Sequence, residues 1–207
     1  MIDVHPPEHG IHGFRDFVVH LLTITVGLLI ALGLEASVEA LHHRHERKDA
    51  EATIRREILD NGDMVQQSGP QFKTELVGMT TVVQTLEDLS QGRPGTLHEA
   101  DFIFHQAPLE DSAWRTAGST GVLSYMDYSQ VEKFSDAYKE QDELESMELA
   151  TLEDYLQLMP ILKNHKDDMT PERAKDALPI ARRALAHLNG MYFIGIGTMG
   201  SYSDALK

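Results

Sequence analysis

Between Phe17 and Leu34 the chain reads FVVHLLTITVGLLIALGL, 18 residues without Asp, Glu, Lys or Arg. As an α-helix such a stretch is ~27 Å long at about 1.5 Å per residue, close to the ~30 Å hydrocarbon core of a bilayer. Lipid offers no partner for backbone polar groups, so a single spanning segment must be helical. Arg15 and Asp16 bound the run on one side and Glu35 on the other; its polar members include His20 and Thr23, both in its first half. A cleaved signal peptide has a shorter apolar region and more positive charge before it than Arg15 supplies. An uncharged run of this length is also foreign to a soluble core in a chain with 33 acidic and 18 basic residues. The sequence predicts a retained transmembrane helix over 14–36, in contact with membrane lipid.

The formal charge of −15 excludes a nucleic-acid partner, which needs a basic face against phosphates. The absence of cysteine removes disulfides, thiolate metal sites and cysteine nucleophiles. Residues 1–13, with two prolines, two glycines and three histidines, form an irregular tail. From Phe14 a helix runs through the membrane and continues as a stalk over 37–68, with Val38, Leu41, Ile54, Ile58 and Val65 at helical spacing. It is expected to break at Asn61-Gly62 or at Ser68-Gly69-Pro70.

A helical bundle is expected over 69–207. Its first helix covers about Pro70 to Leu89, with Phe72, Leu76, Met79, Val83 and Leu86 on the apolar face. A loop at Gln91–Gly95 and a short helix over His98–Gln106 follow, then a glycine-broken turn over Asp111–Gly121 with Trp114 facing inward. A long helix spans Tyr128–Lys163, and seven acids between Glu140 and Asp154 read as its solvated face. Thr170-Pro171 opens the last helix as cap and first turn; it reaches about Asn189 and extends toward Leu206. The fold class is all-α: one transmembrane helix continuing into a stalk, then an antiparallel bundle.

Thr23, Gly27 and Ala31 repeat every four residues, and Gly33 and Ser37 continue the spacing on a nearby face. Small side chains let a second helix approach closely in lipid. They are the candidate helix–helix contact, toward copies of the same chain or a larger membrane complex. Among 11 histidines, His42 and His45 share a helical face past the membrane and are the candidate metal ligands; interfacial histidines next to lipid headgroups are the simpler reading. His5-Pro6-Pro7-Glu8-His9 matches the H-x-x-E-H string of zinc proteases, but two prolines forbid the helix that chemistry needs. Ser119 lacks the nucleophile-elbow setting, and Gly195–Gly200 has neither a preceding strand nor a following Lys. No cofactor, metal or catalytic set is expected.

Thr23–Glu35 followed by Ala52-Thr53-Ile54-Arg55-Arg56-Glu57-Ile58-Leu59-Asp60-Asn61 resembles a group of uncharacterised bacterial proteins. These have a "GILIAL"-type membrane helix, a charged helix ending in E-I/L-x-x-N, and a helical domain. Trp114–Leu123 is similar to a short "SG-L" element that in this group precedes a helix with a Tyr, here the one with Phe134 and Tyr138. The resemblance implies a single-pass protein of the bacterial inner membrane and no known activity. Members often carry several Lys or Arg before the membrane helix, which puts their domains in the periplasm; here Arg15 stands alone. The positive-inside rule points the other way, since Arg44, Arg47, Lys48, Arg55 and Arg56 follow the helix. The expected function is a non-enzymatic, membrane-anchored interaction or accessory subunit. The alternative is a ligand-, pH- or metal-responsive membrane sensor; a hydrolase assembled from scattered residues is a weaker third.

Overall fold

The computed structural model describes residues 13–98, 103–165 and 169–207, and the side chains of all of these but 163–165. The described chain is all-α and contains no strand. Its elements are α1 (Phe14–Ser90), α2 (Ser112–Thr120), a 3-10 turn at Val122–Tyr125, α3 (Tyr128–His165) and α4 (Pro171–Ala205). Two compact units divide at residue 48, and α1 contributes to both.

In the first unit α1 carries a stretch long and apolar enough to cross a membrane, and none of that stretch is buried. The hydroxyls of Thr23, Thr25 and Ser37 donate to the carbonyls of Val19, Leu21 and Gly33, at 2.9, 2.8 and 2.7 Å. Each hydroxyl is thus satisfied within its own helix, as a non-aqueous surrounding requires.

The second unit is held by three seams with one period. On α1 the seam runs through the buried positions 54, 58, 61, 65, 68, 72, 75, 79, 82 and 86, with Gly62, Gly78 and Val83 buried beside it; on α4 the buried positions are 174, 177, 181, 184, 188, 191, 195, 198, 202 and 205. On α3 they include Phe134, Ala137, Gln141, Leu144, Glu148, Thr151, Tyr155, Leu158 and Leu162. Steps of three and four alternate without a slip. This is the seven-residue repeat of helices that wrap around one another with a left-handed twist. The α4 seam carries Ala174, Ala177, Ala181, Ala184 and Gly195, so its neighbours come close. A Cβ on Gly190 would press against Met147 at 3.2 Å.

Contacts fix the directions. Glu57 meets Tyr138, and Asn61 meets Gln141, so α1 and α3 run parallel. Glu140 meets Thr198 and Asp154 meets Arg183, so α4 is antiparallel to α3; Arg55 at Leu206 and Glu87 at Arg182 make it antiparallel to α1 as well. A parallel pair needs a connection that travels the whole way back. Residues 91–127 are that connection, and they descend along α1: His105 lies at Glu75, Glu110 at Asn61, and Ala113 at Glu57. Glu57 to Glu75 spans ~27 Å of helix. The eight steps from His105 to Ala113 reach only ~26–29 Å when fully drawn out. Residues 105–111 are not helical, and α2 begins only at Ser112.

Three expectations change accordingly. The short helix over His98–Gln106 is not seen: its described residues, His98 and Ile103–Gln106, are not helical. The break at Asn61-Gly62 or Ser68-Gly69-Pro70 does not occur, and residues 49–68 belong to the bundle rather than to a stalk. The helix persists because the seam is in phase on both sides of Pro70, whose ring is exposed, and because Gly62 faces the ring of Tyr202. Thirdly, Glu148 and Asp154 are buried and are not part of a solvated face.

Because residues 49–68 lie in the core, Ile58→Ala should cost about 2–5 kcal/mol. The neighbouring Leu59→Ala, at a side chain 54% exposed, should cost under ~0.5 kcal/mol. Urea unfolding of the detergent-solubilised chain, followed by the fluorescence of Trp114, measures both. Equal small losses would return this segment to a stalk.

Candidate functional site

Seven seam positions are polar and buried: Asn61, Ser68, Glu75, Gln141, Glu148, Thr151 and Thr198. Burying such groups is costly unless each finds a partner. An extended connection has the matching problem, because its amides have no helix or sheet to bond to. Much of the polar interior of this bundle is the meeting of those two needs.

The first junction is built from one turn of α1. The first turn of α2 receives no side-chain cap from Asp111. The Glu57 carboxylate supplies one from outside: Oε2 accepts from Ser112 Oγ at 2.9 Å and the Ala113 N–H at 2.8 Å, and Oε1 from the Trp114 N–H at 3.4 Å. Negative charge at a helix N-terminus is favoured by the helix dipole. Oε1 also accepts from the Tyr138 hydroxyl at 2.6 Å, and the Tyr138 ring stacks on Trp114 at 5.4 Å. Burial, then the bond to Glu57, push the Tyr138 hydroxyl well above its ordinary range, so it remains a donor. Two residues earlier Arg55 does the converse. Its Nη1 donates to Leu206 O at 3.0 Å, and Gln130 Nε2 donates to Ala205 O at 3.0 Å. A cation thus closes the C-terminal end of α4, which has no basic residue of its own in that turn.

One turn further along α1, Asn61 Oδ1 accepts from the Glu110 N–H at 2.9 Å, while Nδ2 donates to Glu110 O at 2.6 Å and Gln141 Oε1 at 2.9 Å. Gln141 Oε1 also accepts from the Tyr202 hydroxyl at 2.6 Å. A single amide pair thereby ties α1, α3, α4 and the connection together.

The second junction lies at the other end of the extended segment. Glu75 Oε1 accepts from the His105 N–H at 2.7 Å and lies 2.7 Å from His105 Nδ1. Glu148 Oε1 accepts from the Ala107 N–H at 3.2 Å, and the Phe104 ring rests 5.2 Å from that of Tyr155. Burial pushes the Glu148 carboxyl up to about 7, against the Ala107 N–H, which lowers it; the charges of Glu145 and Glu75 add to the rise. Glu75 is also raised, by burial, with His105 opposing. Between α3 and α4, Asp154 Oδ1 accepts from Arg183 Nε at 2.6 Å, and His187 Nδ1 lies 2.9 Å from Oδ2.

These groups bind one another. Among the described residues no group of three or more His, Asp or Glu is arranged to hold a metal ion. His42 Nε2 lies 3.1 Å from Glu46 Oε1, and His45 is exposed. His5, His9 and His12, and with them the H-x-x-E-H string, lie outside the described residues. Ser119 Oγ donates to Thr116 O at 3.0 Å inside a helical turn. The glycines at 195, 197 and 200 are helical; Gly195 packs toward Val65 and Gly197 toward the Glu140 carboxylate. Thr23, Gly27, Ala31, Gly33 and Ser37 are exposed, and a Cβ on Gly27 or Gly33 would meet nothing within 4 Å.

The sequence reading missed Glu57, Asn61, Glu75, Gln141 and Glu148 as a set. A signal was present: Glu75 sits in phase between Phe72 and Met79, and Glu148 between Leu144 and Thr151. A polar residue on an apolar face asks for a partner, and that partner was backbone. Compared with protein-family models, with curated proteins and with solved structures, the chain finds no match.

Asn61→Ala should cost about 3 kcal/mol, since it strands the N–H and weakens the C=O pairing of Glu110. The exposed neighbour Asp60→Ala should stay within ~0.5 kcal/mol. Thermal unfolding of both variants provides the comparison. A loss below about 1 kcal/mol at Asn61 would mean that the connection is held elsewhere.

Proposed function

We propose that this chain is a non-enzymatic interaction or accessory subunit of a membrane complex, anchored by residues 14–36. The observation that carries this reading is the apolar stretch of α1, whose side chains are uncovered by the chain itself while the bundle closes its own core. Leu22, Leu28, Leu29 and Ile30 are each more than half exposed. Apolar surface of this extent needs lipid or other helices around it. The Thr23, Gly27 and Ala31 line and the neighbouring Gly33 and Ser37 supply the close-approach face for those helices. The internal pairing of the polar side chains in the bundle supports a structural rather than a chemical role for the domain. Of the two possible sides, the five basic residues following the anchor favour the cytoplasm for the bundle.

Purification in a mild detergent from cells expressing the chain at native level should bring down another membrane protein in fixed stoichiometry, or a defined homo-oligomer. Gly27→Leu combined with Ala31→Leu should dissociate that assembly and leave the unfolding transition of the bundle unchanged. Recovery of a lone monomer in every mild detergent tried would defeat the reading.

A further inference from the structure

The second junction has features that mere fastening does not require. The connection is drawn out there, and Pro108 has no N–H to offer. At this level its attachments are the amides of His105 and Ala107 and the rings of His105 and Phe104. Both acceptors are carboxylates, one from α1 and one from α3, and both are buried. His105 and Ala107 are two extended residues apart, so the carboxylates that hold them stand within roughly 7–10 Å. Glu75 Oε2 and the Tyr155 hydroxyl are buried and find no hydrogen-bond partner among the described residues.

We propose that residues 104–107 are a proton-controlled latch: with a proton held in the Glu75–Glu148 pair the segment lies closed in the groove between α1 and α3, and loss of that proton releases it.

The physical reason is desolvation. Two carboxylates out of water and close together cannot both be charged cheaply. A proton held on one of the two removes the conflict; burial is the first reason Glu148 keeps it, and the charge of Glu75 adds to that. The groups facing them are few. From α1 comes Glu75 itself; α3 adds Glu145 and Tyr155, whose hydroxyl is raised by burial and by the Glu75 charge. The segment contributes His105, a partner that leaves with the latch. The cationic groups of α4 that reach α3, Arg183 and His187, are engaged by Asp154, roughly 240° around that helix from Glu148. Among the described residues no lysine or arginine bonds either carboxylate. The segment is the outer layer over both, since the side chain of His105 is 45% exposed. Lifting it is therefore the shortest route by which water reaches them.

The direction follows from linkage. The closed state holds the Glu148 carboxyl at about 7, against 4.5 when solvated. Closure is thus fully favoured below the lower value and weakens as pH rises through the upper one. Between pH ~5 and ~8 the open fraction should grow about 70-fold. The inference rests on the bundle alone and is independent of the accessory-subunit reading.

Hydrogen–deuterium exchange of the full chain in detergent, corrected for the intrinsic pH dependence of exchange, tests it. Protection of 104–107 should fall steeply across that range, while the α4 seam around Ala181 and Leu188 keeps its protection. Glu148→Gln preserves the acceptor and cannot ionise, so its latch should stay protected at the higher pH. A flat profile in the unmodified chain would overturn the proposal, with or without a foldable variant. So would a parallel loss in segment and α4, which is global unfolding, or a Glu148→Gln profile that follows the unmodified chain.

Discussion

The fold depends on one exchange: helix side chains satisfy the backbone of an extended segment, and that segment satisfies them. Parallel packing of α1 and α3 makes the exchange necessary, because 91–127 must cover the length of the bundle in reverse. From His105 to Asp111 the chain is not helical, and the first N–H groups of α2 have no partner in their own helix, so these amides need outside acceptors. Glu57, Asn61, Glu75 and Glu148 are placed at the four levels where those amides pass. Removing the side chains would strand backbone groups, and removing the segment would leave the carboxylates without their partners. Each side is tolerable only because the other is present.

The same residues solve a second problem. Helices that mate through a seven-residue repeat can slide by a repeat with little loss if every layer is apolar. The Asn61–Gln141–Tyr202 layer forbids this, since a shift would part three hydrogen-bonding groups that belong to three helices. Arg55 and Glu57 strengthen the constraint by meeting the ends of α4 and α2 with charges of the right sign. The alanine-rich half of α4 then brings its backbone close to its neighbours, and good packing follows from register that polar contacts have already set.

Most of the helices were legible in the sequence, and so was the capped start at Thr170, whose hydroxyl accepts from the Arg173 N–H at 3.3 Å. Helix length and apolar period are local properties. The failures share one origin. Gly62 and Pro70 look like breaks because local propensity is all a sequence window contains; the in-phase seam that overrides them is a tertiary fact. The His98–Gln106 stretch reads as helix because nothing nearby states that the His105 amide must bond to Glu75, far back along the chain. Glu148 and Asp154 disappear into an acidic run because burial is decided by partners far along the chain, Ala107 in one case and Arg183 in the other. The polar seam positions were visible as irregularities, and their meaning became available only with the direction of α3 relative to α1.

Two surroundings are written into α1 by the way its apolar residues are distributed. From Phe17 to Leu34 they occupy every face, so no single packing partner can cover them; from Ile54 onward the buried ones keep to one seam, which the rest of the bundle covers. A seam is satisfied within one chain, whereas an all-round apolar helix depends on its medium. The stability of the bundle and the surroundings of the apolar stretch are for that reason separable properties. A substitution at Gly27 acts on what surrounds that stretch, and one at Asn61 acts on the fold, and neither effect is expected to appear in the measurement that reports the other.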